Sequence, residues 1–131
     1  MFTIEQIKAE HSKVKSGADF PKYIQDIIGI GVIGYATFVT DGQAVYYGRD
    51  GYQIQSDPKY ATLLIADKSN HDQFKKGLKE HQQGKIDYLT FCSMCANEGI
   101  EKWVVEMDKM TCSYYDKAGN EMLVEIIPTV S

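Results

Sequence analysis

Apolar side chains recur at helical spacing through the first thirty residues, and the period then changes to alternation. Thr3, with Gln6 three places on, forms a capping box ahead of Ile4, Ile7, His11 and Val14, so the spacing predicts a helix ending at Ser16 and Gly17. Asp19 is the expected cap of a second helix carrying Tyr23, Ile24, Ile27 and Ile28, with Pro21 tolerated in its first turn. From Val32 the pattern reads as strands over 33–39, 44–47 and 52–55, separated by turns at 40–42 and 48–51 that each contain Asp-Gly. Ser56, Asp57 and Pro58 break the pattern, and the short apolar run Leu63 to Ala66 is expected to be strand-like.

The plan then repeats. Asn70 and Gln73 predict a helix running to Gln83 and stopped by Gly84, and Asp87 caps another with Tyr88, Phe91, Cys92 and Cys95, closed by Gly99. Strand-like runs follow over 102–107, 110–115 and 121–127, with a turn at 117–120. At a separation of 68 positions, Asp19 meets Asp87, Tyr35 meets Trp103, Tyr46 meets Tyr114 and Gly31 meets Gly99. These matches fall on caps, turn glycines and large aromatics, where geometry restricts choice. The expected fold class is therefore α+β: a tandem pair of α-α-β-β-β units over roughly 1–68 and 69–131, forming a single globular domain. Helices should pack on one face of an antiparallel sheet. Alternation turns Tyr35, Thr37, Val39, Ala44, Tyr46, Trp103, Val105, Met107, Met110, Cys112 and Tyr114 inward. It leaves Tyr47, Val104, Tyr115 and Leu123 as a candidate interaction surface on the other face.

Composition agrees with one ordered domain: 131 residues, 44% apolar, with 11 Gly and 3 Pro, exclude collagen-like, low-complexity and disordered classes. The net charge of −4, spread as −1 and −3 over the halves, offers no basic field, and Arg49 is the only arginine. Nucleic-acid binding through phosphate neutralisation is therefore disfavoured. No secretory leader or membrane span is recognisable, and an odd count of three cysteines fits a reducing cytoplasm.

Cys92 and Cys95, spaced i and i+3, are the most chemical-looking pair. With Cys112 and His81 they could build a tetrahedral zinc site, or act as a redox dithiol. The repeat favours core packing instead, because Cys92, Cys95 and Cys112 stand where the first half has Ile24, Ile27 and Ala44. A nucleophilic pairing of Cys92 or Cys95 with His81 has no supporting motif. His11 lies on an apolar stripe, His71 in a helical first turn, and no HxxxH spacing occurs. Gly29 to Gly31 precede a strand and do not open a helix, so they form no phosphate loop. No catalytic, cofactor or metal residue is assigned.

Several stretches together resemble a known family: Val14-Lys-Ser-Gly-Ala-Asp-Phe20, Thr37-Phe-Val-Thr-Asp-Gly42, His81-Gln-Gln-Gly84, Gly99-Ile-Glu-Lys-Trp-Val-Val105 and Met110-Thr-Cys-Ser-Tyr-Tyr-Asp116. Over nearly its whole length the chain is similar to the YbcV/YdfO-like proteins encoded by enterobacterial prophages, often labelled "phage envelope protein". The resemblance implies a prophage accessory protein and supplies no catalytic residues. The expectation is a cytoplasmic, non-enzymatic module that binds a host or phage protein, with homodimerisation open and no cofactor. The alternative is a small-ligand-binding protein or enzyme using the cleft between the halves.

Overall fold

The computed structural model describes residues 2–15 and 17–128. Helix α1 spans Ile4–His11 and opens with the expected capping box, Thr3 Oγ1 accepting from the Gln6 amide and Gln6 Oε1 from the Thr3 amide. It stops earlier than expected. The amides of Lys13 and Val14 turn to the carbonyls three residues back, at 3.2 and 2.9 Å, and the Ser12 hydroxyl donates to the Ala9 carbonyl at 2.6 Å. These tight bonds close off the helix before Val14. Ser16, the expected stop, lies outside the described residues.

A 3-10 turn, Gly17–Asp19, leads into α2, Phe20–Gly29. Asp19 makes no side-chain cap to α2, and its carboxylate accepts the Lys15 amide at 2.8 Å. Strands β1 (Gly34–Phe38), β2 (Ala44–Tyr47) and β3 (Gln53–Gln55) form the first meander. Helix α3 spans His71–Gln82 and α4 spans Tyr88–Asn97, with Asn70 Oδ1 accepting from Gln73 N and Asp87 Oδ1 from Thr90 N. Strands β4 (Ile100–Glu106), β5 (Thr111–Asp116) and β6 (Glu121–Ile126) complete the second meander.

Leu63 to Ala66 is not a strand. Its amides are spent on tying down a long crossing segment, Leu63 N to the Thr40 carbonyl at 2.7 Å and Ala66 N to the Ala96 carbonyl at 2.8 Å, while Leu64 stays 90% exposed. Tyr60 holds the same strap by donating to the Val39 carbonyl at 2.6 Å.

All six strands join one open antiparallel sheet in the order β3-β2-β1-β4-β5-β6. The seam between the halves is the antiparallel pair β1–β4, in which Ala36 stands opposite Val104. Those residues are 68 positions apart, so a pseudo-twofold axis passes between them. The ladders on either side agree: Tyr35 faces Tyr46 in the first half, and Trp103 faces Tyr114 in the second. Thr37 facing Ala44 is likewise matched by Val105 facing Cys112. The inward residues are covered by the helices in one core, with Ile24, Ile27, Phe74, Ile100 and Val105 fully buried. Each such side chain contributes about 1.5–3 kcal/mol by leaving water.

The outer face carries Tyr47, Val104 and Tyr115, with Lys102 lying 5.6 Å over the Tyr115 ring. Leu123 does not belong with them. It stands opposite Tyr114 and packs against the core, so it lies on the helix-covered face.

Gly99 and its counterpart Gly31 end α4 and α2 in the left-handed region, at φ 83° and 108°. A Cβ on Gly99 would also come within 2.8 Å of the Lys68 carbonyl oxygen. Gly99→Ala should cost about 2–3 kcal/mol in urea unfolding. Gly119→Ala, with similar φ but open space around it, should cost only about 1 kcal/mol.

Candidate functional site

Beneath the helices the two halves do not close completely on each other. A cavity of about 180 Å³ remains, lined by residues of α1, α2, α3, α4 and the inner faces of β1, β2, β4, β5 and β6. Its wall is built from residues related by the 68-position offset. Phe20 and Tyr88, Tyr23 and Phe91, Tyr35 and Trp103, and Tyr46 and Tyr114 all border it. The same duplication that produced the sheet seam has thus set four pairs of large rings around one space.

Register explains the floor. Tyr46, Tyr35, Val105, Cys112 and Glu125 are successive cross-strand partners and form one row from β2 to β6. Four strand spacings make that row about 19 Å long. At its β6 end, Gln82 Nε2 donates to both Glu125 oxygens at 2.9 and 3.0 Å, fastening α3 to the sheet, and the Tyr114 hydroxyl lies 3.4 Å from the same carboxylate. Toward the β2 end stand His11 and Lys59, which also border a neighbouring pocket of about 370 Å³ together with Tyr46 and Tyr88.

The rings meet edge to face or tilted, the arrangement their quadrupoles favour. His11 lies 5.3 Å from Tyr23 and 6.1 Å from Tyr88, and Trp103 lies 5.7 Å from Phe91 and 6.1 Å from Tyr114. His81 stacks flat on Phe91 at 4.3 Å.

Polar atoms inside this wall are the informative ones. Burial raises the phenols of Tyr23, Tyr35, Tyr46, Tyr88 and Tyr114, keeping them as neutral hydroxyls. Tyr35 is only 4% exposed, yet its hydroxyl makes no hydrogen bond to protein among the described residues. No buried polar side-chain atom there is sealed off without a partner, so this hydroxyl opens into the cavity. A hydroxyl so placed can donate to water or to a ligand that enters the cavity.

The cysteines behave differently. Cys92, Cys95 and Cys112 are buried free thiols. Burial pushes all three up, Cys112 to about 12, so none is a thiolate at neutral pH. Cys112 lines the cavity, whereas His81 is engaged with the Phe91 ring. Among the described residues no three of His, Cys, Asp and Glu gather as metal ligands, and no helix is long and apolar enough to cross a membrane. His71 sits at the surface 3.7 Å from Asp72.

The sequence offered the cleft between the halves only as an alternative and without its residues, since the aromatics that line it read equally well as core. The available signal was an excess of tyrosine at paired inward positions, 68 apart.

A family model matches residues 8–126, which is most of the chain. The chain belongs to the family described as Protein of unknown function (DUF1398). Comparison with curated proteins found no match. The matched DUF1398 span contains every residue of the aromatic wall, from Phe20 to Tyr114.

Both cavity histidines of this DUF1398 chain are held below the ordinary value of 6.5. Burial is the main cause for each, with Lys59 adding to it at His11 and Asp87 opposing it at His81. The unfolded chain therefore binds protons that the native chain resists. Stability from these two sites is complete above about pH 6.5 and is lost as pH falls through the depressed native values. The urea midpoint should drop between about pH 7 and about pH 5, and His11→Gln combined with His81→Gln should flatten that slope. Carboxylates held low at Asp67, Asp87 and Asp116 act in a separate, more acidic window.

Proposed function

We propose that this DUF1398 protein binds a small planar aromatic molecule in the cavity between its halves. The observation that carries the reading is the Tyr35 hydroxyl, on a buried side chain, without a protein partner among the described residues and opening into a space walled by paired rings. Stacking against the wall would supply affinity, and the hydroxyl would supply orientation. A dry cavity of about 150 Å³ in another protein accommodates benzene, so the space here suits one ring with a substituent.

A binding role without chemistry fits the side chains better than catalysis. The thiols are protonated, the phenols are neutral, and the lining carboxylates Asp87 and Glu125 are engaged in hydrogen bonds. With the resemblance to prophage-encoded proteins, the reading becomes a cytoplasmic accessory protein whose action depends on a small ligand.

Trp103 is the only tryptophan and lies on the cavity wall, so it reports directly. Titration with p-cresol, exciting at the red edge of indole absorption, should give a saturable change in Trp103 emission. Tyr35→Phe, which keeps the ring and removes the hydroxyl, should weaken binding by about threefold to tenfold. Absence of any saturable response to p-cresol contradicts the proposal.

Protein interaction remains a second reading on one observation. On the outer sheet face Tyr47, Val124 and Ile126 stay 38%, 43% and 74% exposed. A partner using that face would be released by Tyr47→Ser with Ile126→Ser, and retention of the partner by this variant contradicts it.

A further inference from the structure

The charges around the cavity narrow the ligand further. Four charged side chains line it: Lys15, Lys59, Asp87 and Glu125. The two carboxylates have hydrogen-bond donors of their own, Thr90 N at 2.7 Å for Asp87 and Gln82 Nε2 at 2.9 and 3.0 Å for Glu125. Neither lysine has a carboxylate within ion-pair distance among the described residues.

Of the two, Lys59 is placed to matter. It borders both this cavity and the neighbouring pocket, sharing the boundary with His11, Tyr46 and Tyr88. Although the residue is exposed overall, loss of water on its cavity side holds its ammonium below the ordinary lysine value; Cys92 opposes that shift and Lys8 adds to it less strongly. A cation on the cavity rim with no carboxylate in ion-pair distance among the described residues is available to an anion that enters there. The rings beside it are Tyr23 and Tyr88, packed against His11 at 5.3 and 6.1 Å, and Tyr46. An aromatic cage alone would also suit an organic cation. Here the charged groups lining that end are Lys59 and Lys8, which oppose one.

We propose that the ligand is an aromatic carboxylate, with its acid group on Lys59 beside His11 and its ring among Tyr23, Tyr46 and Tyr88. This rests on the small-molecule reading above and adds the ligand's charge and orientation.

Three probes of one shape separate the possibilities at neutral pH: p-cresol is neutral, 4-hydroxybenzoate is an anion and 4-hydroxybenzylamine is a cation. Affinities read from Trp103 emission should place 4-hydroxybenzoate about tenfold tighter than p-cresol, with 4-hydroxybenzylamine the weakest. Lys59→Met should bring the ratio of 4-hydroxybenzoate to p-cresol affinity close to one. Lys13→Met should preserve the ratio, because Lys13 is paired with Glu10 at 3.1 Å outside the lining. Equal affinity for anion and neutral probe, tightest binding of the cation, or a ratio unchanged by Lys59→Met overturns the proposal while leaving ring binding intact. Silence toward all three probes overturns the binding reading itself.

Discussion

The antiparallel pairing of β1 with β4 is the constraint on which the rest depends. Because Ala36 meets Val104, its own counterpart 68 positions on, the two meanders become one sheet related by a pseudo-twofold axis. A shift of one residue at this seam would turn the inward set of one half to the outer face. Tyr35 and Trp103 would then no longer share a wall. The correct register places them on the same side of the sheet, one strand apart on either side of the axis, beneath helices that come from both halves.

From that geometry the cavity follows. Each half brings a helix pair whose inward rings fill most of the space over its own three strands, and the remaining gap lies where the halves meet. A gap walled only by aliphatic groups would be a packing defect. This one contains neutral phenols, two histidines held neutral by burial and, among the described residues, a hydroxyl without a protein partner and a lysine without a carboxylate in ion-pair distance. The Gln82–Glu125 bonds close the β6 end and leave the Lys59 end to receive charge.

The parts of this that the sequence carried are the local ones. Thr3 with Gln6, Asn70 with Gln73, and Asp87 with Thr90 act within a single turn, so their helix starts could be read directly. Strand alternation also survived, since the inward residues of β1, β2, β4 and β5 are buried as expected. What failed was one local stop and two features that depended on distant partners. The stop of α1 at His11 is set by a tight turn that apolar spacing does not show. The Leu63 run serves a strap whose amides bond Thr40 and Ala96, far along the chain. Leu123 shares its face with Glu125, and a glutamate in alternation reads as solvent-facing; Gln82 reaching over from α3 and the Tyr114 hydroxyl beside it make its inward position tolerable.

The central claim is that one ligand is held jointly by both halves. Isotope-filtered NOE spectroscopy on labelled protein with unlabelled p-cresol tests it most directly. The account predicts contacts from the ligand ring to the side chains of both Tyr35 and Trp103. Contacts confined to one half, or found only at outer-face residues such as Tyr47 and Tyr115, would contradict it.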